Sequence, residues 1–254
     1  MRKAGRQAAA CLQWILAQVE VGMSTQDIDD LQRAWIKTHG GIAAPLNYRG
    51  FPKSICTSRN EVICHGIPNR KEILQDGDII GIDVTLIIDG FYGDNAATIA
   101  VGRPRDEAVR LLHVTLECLR RAIATVSPEH RLGDIGHAIQ SHAEAEGFSV
   151  VQDFVGHGIG RQFHEEPQVC HYGQPATGVR LRPGMTFTIE PMINEGTHRT
   201  KVLADGWTAI TADKKLSAQF EHTIAVTESG VEILTVQNDQ GTWEVPGRAT
   251  LPER

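Results

Sequence analysis

Apolar residues recur at helical spacing from the start of the chain. Ala4, Ala8, Cys11, Leu12, Ile15, Leu16 and Val19 share one face, which predicts a helix ended by Gly22. Ser24, followed by Asp27, resembles a capping box opening a second helix, striped by Ile28, Leu31 and Trp35 and closed by Gly40 and Gly41. A loop rich in Pro, Gly and aromatics runs from Pro45 to Pro52. Beyond it the pattern predicts a hairpin, with strands over 78–88 and 91–101 joined at Asp89-Gly90. Helical spacing returns after Pro104, on Ala108, Leu111, Leu112, Leu119 and Ile123, and again from about Leu132 to Glu146, stopping at Gly147. Further strands are predicted at 185–193, 205–211 and 219–227.

The pattern repeats itself. The same 107-residue offset separates Asp27 from Asp134 and Asp83 from Glu190. Each pair sits in similar surroundings: one opens a helix, the other lies in an apolar strand after a turn. Two helix-helix-sheet halves fused by duplication explain both. Helices before strands within each half argue for an α+β class rather than alternating βαβ units. No linker separates the halves, so one domain over 1–254 is expected, with halves of about 1–102 and 103–236 and a tail at 237–254.

Composition narrows the function classes. Of 254 residues, 41% are hydrophobic and 22% charged, and the net charge is −6, which suits a soluble globular protein and argues against a nucleic-acid surface. No apolar run approaches the roughly 18 residues of a membrane span. The first twenty residues carry charges throughout and do not read as a secretory signal. The five cysteines are odd in number and show no CxxC spacing, so reduced thiols in a cytoplasm are expected.

The candidate chemistry starts at Asp83. It interrupts a strand whose other face, Ile80, Ile82, Val84, Leu86 and Ile88, is wholly aliphatic. With Asp89-Gly90 as a two-residue turn, Asp83 faces Ala96 and Thr85 faces Asp94. Asp83 and Asp94 then share a face with Cα atoms about 7–8 Å apart. For the hairpin alone, two solvated aspartates near a turn would serve as well. Glu190, equivalent to Asp83 in the repeat, and Glu221, in another apolar strand, change that. Four carboxylates meeting at a pseudo-twofold axis without a local Lys or Arg call for divalent metals, two of them. His157, flanked by Gly156 and Gly158 that let the backbone pass close to a ligand, is a fifth candidate. One imidazole among oxygens suits Mn, Fe(II), Co or Zn better than a cysteine-rich structural zinc does.

Four stretches extend this pattern: Asn60 to Pro68 (NEVICHGIP), Gly156 to Pro167 (GHGIGRQFHEEP), Thr186 to Met192 (TFTIEPM) and Gln219 to Thr223 (QFEHT). In order and spacing they resemble the type I methionine aminopeptidases of bacteria, in the M24 peptidase family, over about residues 2 to 235. The resemblance implies the pita-bread (creatinase/aminopeptidase) fold, two pseudo-symmetric halves around a dinuclear metal site. It implies removal of the initiator methionine from nascent proteins and peptides with a small second residue. Asp83, Asp94, His157, Glu190 and Glu221 match the metal ligands, with Asp94 and Glu221 as the bridging pair. Glu190, His164 and His65 match catalytic positions, and both histidines also contact substrate. Tyr48, Phe51, Cys56, His65, Phe163 and Trp207 match the pocket for the methionine side chain. Asn60, Val62 and Ser217 match a monovalent-cation site for Na or K. The divalent pair is drawn from Co, Mn, Fe(II), Zn or Ni.

The expected partners are nascent polypeptide N-termini and the ribosome near its exit tunnel, with no membrane and no direct nucleic-acid site, and a monomer is expected. The sequence departs from the family at Pro45, Phe51 and Asn95-Ala96, which bear on pocket shape and on hydrogen bonds to the ligands. Two alternatives stay open: a proline-specific aminopeptidase or prolidase of the same fold, and a non-catalytic binding module that keeps it.

Overall fold

A computed structural model describes residues 1–236. The tail expected at 237–254 lies outside the described residues. Helices α1 (Arg2–Leu16) and α2 (Thr25–His39) open the chain. Strands β1 (Ile42–Ala43), β2 (Cys56–Arg59), β3 (Val62–Cys64), β4 (Ile79–Ile88) and β5 (Phe91–Ala100) complete the first half. The second half begins with α3 (Asp106–Ala124) and α4 (Leu132–Ala145), followed by β6 (Ser149–Val150), β7 (Gly156–Gly158) and β8 (Glu165–Val169). It continues through β9 (Thr186–Ile189), β10 (Met192–Asn194), β11 (Thr200–Val202), β12 (Ala209–Thr211), β13 (Ser217–Gln219), β14 (His222–Val226) and β15 (Val231–Ile233).

The helix pairs follow from caps and stripes. α2 starts where Ser24 and Asp27 exchange the capping-box bonds, and Gly40, at φ 81°, ends it. In α4 Asp134 accepts from the Arg131 N–H at 2.7 Å, the corresponding half of that box. α1 stops at Leu16, short of Gly22, and Ala17 is still right-handed. Gly22, at φ 93°, belongs to the turn that follows. The apolar stripe past Leu16 reaches only Val19, which is buried without extending the helix.

The hairpin register is the one that Asp89-Gly90 dictates: Ile88 opposes Phe91, Thr85 opposes Asp94, and Asp83 opposes Ala96. The other edge of β4 carries β1 and β2, with Cys56 opposite Asp83. In the second half β15, β14, β9, β7 and β8 form one sheet in that order. One apolar core cluster runs from Ala8 through Ile82, Leu111 and Ile139 to Phe187 and Ile224, so both halves share it.

Two predicted strands are broken. The strand expected over 185–193 divides into β9 and β10 at Glu190-Pro191. Pro191 has no N–H for a ladder. The strand expected over 219–227 begins at His222, and the strand before it ends at Gln219, so Glu221 lies between strands rather than inside one. The expected 205–211 strand is confined to β12 and pairs with β11.

The break before Glu221 joins the halves. The Glu221 N–H donates to the Ala96 carbonyl at 2.8 Å, and Ala97 and Phe220 form an isolated bridge. The Thr98 hydroxyl donates to the Gln219 carbonyl at 2.8 Å and accepts from the Gln219 N–H at 2.9 Å. The Thr223 hydroxyl does the same with Asp94, donating to its carbonyl at 2.7 Å and accepting from its N–H at 3.2 Å. This seam sets β5 of one half against β13 and β14 of the other.

Candidate metal centre

Each acidic residue reaches the centre by a different backbone route. Asp83 and Asp94 project from the paired strands β4 and β5, Glu190 from the break after β9, and Glu221 from the break before β14. His157 is central in β7. Its flanking glycines do not make room for a ligand, as the sequence suggests, but for neighbouring strands. A Cβ on Gly158 would stand 2.2 Å from the Glu166 carbonyl oxygen, and one on Gly156 2.5 Å from that of Thr188.

Asp83, Asp94, His157, Glu190 and Glu221 line one cavity of about 730 Å³, together with His65 and His164. Ligand atoms of Asp94, His157 and Glu221 all lie within 4.8 Å of one another. The His157 Nε2 is 3.7 Å from both an Asp94 and a Glu190 carboxylate oxygen. That is too long for a hydrogen bond, and close to the roughly 3–3.5 Å between two ligands on one ion at about 2.0–2.2 Å.

The donor set fits a metal. The Asp83 Oδ1 and the Glu221 Oε1 are buried without a hydrogen-bond partner. Among the described residues no lysine or arginine pairs with the four acids; Arg49 is the single cation lining the cavity. Burying several carboxylates this way is costly unless a cation compensates. The His157 Nδ1 is 3.0 Å from the Gly158 carbonyl. A carbonyl only accepts, so the proton is on Nδ1 and the Nε2 lone pair faces the carboxylates, as a ligand requires. Thr85 donates to Asp94 at 2.7 Å and Thr188 to Glu190 at 2.7 Å, one threonine for each half. Gln219 donates to the second Glu190 oxygen at 3.2 Å.

Burial, with mutual repulsion added, drives the acids toward protonation. It raises Asp83 to about 7 and Glu190 to about 8, and holds Asp94 and Glu221 well above the carboxylate range. Burial also keeps His65 and His164 neutral, lowered to about 4 and about 3. A neutral imidazole carries one donor and one acceptor.

The expected side-chain pocket divides into two aromatic groups. Tyr48 stands 4.9 Å from Phe163, and its hydroxyl shares a 2.9 Å hydrogen bond with the His164 Nδ1. Trp207 meets Phe51 edge-on at 5.3 Å and His65 at 6.1 Å. Cys56 is buried beside Asp83. Of these pocket residues only His65 lines the cavity itself. Its remaining apolar wall includes Cys64, Phe154, Val155 and Met192, which sequence reasoning left out. Cys64 and Met192 lie inside the quoted stretches, which was the signal available. Asn60 and Ser217 come together, the Ser217 N–H donating to the Asn60 carbonyl at 2.9 Å, and Val62 begins β3 close by in sequence. The Ser217 hydroxyl is buried without a partner.

Comparison with known proteins places this geometry. A family model described as metallopeptidase family M24 matches residues 1–228. The chain belongs to this family. It is 63% identical over 236 residues to methionine aminopeptidase A of Synechocystis sp., covering 93% of each chain. The crystal structure of methionine aminopeptidase from Rickettsia prowazekii superposes with a TM-score of 0.91 at 51% identity, covering 92% of this chain and 95% of that one. A prolidase from Pyrococcus horikoshii shares the pita-bread fold, with a TM-score of 0.72 over 93% of this chain and 61% of its own. At 20% identity that likeness concerns the fold alone. The fold expectation, α+β with the pita-bread architecture, agrees with both structural neighbours. Family membership and the donor set together support divalent metal use.

Proposed function

We propose that this M24 metallopeptidase hydrolyses the peptide bond after an N-terminal methionine, in peptides and nascent polypeptides whose second residue is small. The observation that carries this reading is one cavity that brings Asp83, Asp94, Glu190 and Glu221 together with His157 and the neutral His65 and His164. The likeness to methionine aminopeptidases at 51–63% identity supports the choice of substrate. The two halves act as one catalytic domain.

Asp94 and Glu221 would bridge two divalent ions, with Asp83 on one ion and His157 and Glu190 on the other; Co, Mn, Fe(II), Zn and Ni all suit the donors. Such a pair supplies Lewis acidity at the scissile carbonyl and a readily deprotonated nucleophilic water. Glu190 takes the proton of the attacking water and hands it to the leaving amine. His164, with its Nδ1 accepting from the Tyr48 hydroxyl, turns an Nε2–H toward the oxyanion. His65 holds the amide beyond the cut. Tyr48, Phe51, Cys56, Phe163 and Trp207 surround a flexible thioether with aromatic edges and a thiol. Asn60, Val62 and Ser217 would hold a Na or K ion. The enzyme works as a cytoplasmic monomer on chains emerging from the ribosome.

The test is release of methionine from Met-Ala-Ser, set against cleavage of an Xaa-Pro peptide, before and after chelation. Chelator-sensitive release from Met-Ala-Ser alone is expected. Preference for Xaa-Pro would favour a prolidase, and no turnover with divalent metal restored would leave a binding module.

A further inference from the structure

We propose that His171, which the mechanism above does not use, is a positioning residue that fixes Glu190 through its backbone. The inference deepens the reading of Glu190 as ligand and proton carrier, and rests on it. The break between β9 and β10 removes the ladder partner that the Glu190 N–H would otherwise have. That N–H donates instead to the His171 Nε2 at 3.3 Å. His171 is 0% exposed, and its Nδ1 has no hydrogen-bond partner among the described residues.

These two contacts decide the tautomer. An Nε2–H would set two donors against each other at Glu190, so the ring proton is on Nδ1. The Nε2 lone pair thus provides an acceptor at one backbone position. A leucine would fill the space but would orphan the Glu190 N–H. The backbone on either side of His171 is also held in place. Gly136 of α4 packs so closely that a Cβ there would stand 2.3 Å from the Tyr172 carbonyl oxygen and 2.8 Å from that of Cys170. The Gly173 N–H donates to the Gln140 side chain at 3.2 Å, which ties the same segment to α4.

The carboxylate is held at its other end by Thr188 and Gln219. Backbone and side chain of Glu190 are therefore anchored separately, with His171 the backbone anchor. Freed from it, Glu190 could turn about its own backbone while keeping its carboxylate bonds, and would meet the ion in the wrong orientation.

Two measurements test this. In the metal-free wild-type protein, side-chain 15N NMR of His171 should show a protonated Nδ1 and a bare Nε2; a protonated Nε2 would overturn the proposal without touching the proposed activity. Mn2+ titration and Met-Ala-Ser kinetics then compare His171→Leu with His171→Gln, whose Oε1 can accept in place of Nε2. His171→Leu should weaken Mn2+ binding and lower kcat by about 10–100-fold with KM little changed, as for other groups that orient a metal ligand. His171→Gln should recover most of both. Wild-type Mn2+ affinity and kcat in the leucine variant, or equal damage in the glutamine variant, would overturn it. If the leucine variant does not fold, the tautomer and the glutamine variant still decide. Should wild-type protein neither bind Mn2+ nor cleave Met-Ala-Ser, the proposed function fails, while the tautomer separately tests the hydrogen bond.

Discussion

Four of the five candidate ligands are acids that could not be buried together on their own. Asp83, a single carboxylate in a strong aliphatic strand, was legible because its strand has no other reason to be polar. Glu190 was legible through the repeat, and His157 through its glycine flanks, although those glycines serve strand packing. His171 was not legible: one histidine among eleven, it has no motif, and its role follows from a strand break that hydropathy does not register. The threonines that hold the carboxylates give the prediction at this scale. Thr85→Val and Thr188→Val should each lower metal affinity or turnover by about 10–100-fold. Asp94→Asn and Glu221→Gln should abolish methionine release, losing at least about a hundredfold even with divalent metal in excess. Metal titration and kinetics on the four variants check this; near-wild-type turnover in either ligand variant removes its bridging role.

Elements were read best where a turn dictates register. Asp89-Gly90 fixes the β4–β5 pairing residue by residue, and with it the shared face of Asp83 and Asp94. They were read worst where chemistry interrupts hydrophobicity. The runs around Glu190 and Glu221 look continuous, yet both acids lie in breaks between strands. Short strands such as Glu165–Val169, polar and holding a proline, carry no period to detect. The loop bearing Tyr48 and Phe51 gives the prediction here. It is anchored behind by Asp29 of α2, a 0%-exposed carboxylate that accepts from the Ser54 N–H at 2.7 Å and the Ser54 hydroxyl at 2.5 Å. Gln32 donates to the Ser54 carbonyl at 2.5 Å. Asp29→Ala leaves those donors unmatched and should cost about 1–3 kcal/mol in denaturant unfolding. It should also raise KM for Met-Ala-Ser more than it lowers kcat, because the aromatic wall shifts while the ligands stay. An unchanged KM would separate the clamp from the pocket.

For the molecule as a whole, the duplicated halves and the α+β class were visible in the 107-residue offset. The seam that brings the half-sites together was not, because Thr98, Gln219 and Thr223 act through hydroxyls and backbone groups with no signature of their own. The pH behaviour is a property at this scale. His65, half-buried in the cavity wall, and the buried His171 and His222 are held neutral by desolvation, lowered to about 4, 3 and 4. The unfolded chain takes those protons near pH 6.5, so the stability they contribute is present above that pH and is lost as pH falls toward 4, by about 2 kcal/mol for each at pH 5. The acid cluster acts oppositely in metal-free protein. With Asp83 raised to about 7 and Glu190 to about 8, its stability is greatest below about pH 4 and is lost as pH rises through 7–8. Divalent metal replaces those protons. Added Mn2+ should therefore raise Tm most near pH 8 and least near pH 5.5; an equal rise at both would contradict the coupling.

The convergence of both halves on a metal pair is tested most directly by anomalous X-ray diffraction from crystals loaded with Mn2+. Two anomalous peaks about 3.5–4 Å apart, between Asp94 and Glu221 and within ligand distance of Asp83, His157 and Glu190, are predicted. Manganese bound elsewhere on the protein, with no peak among those five side chains, would contradict it.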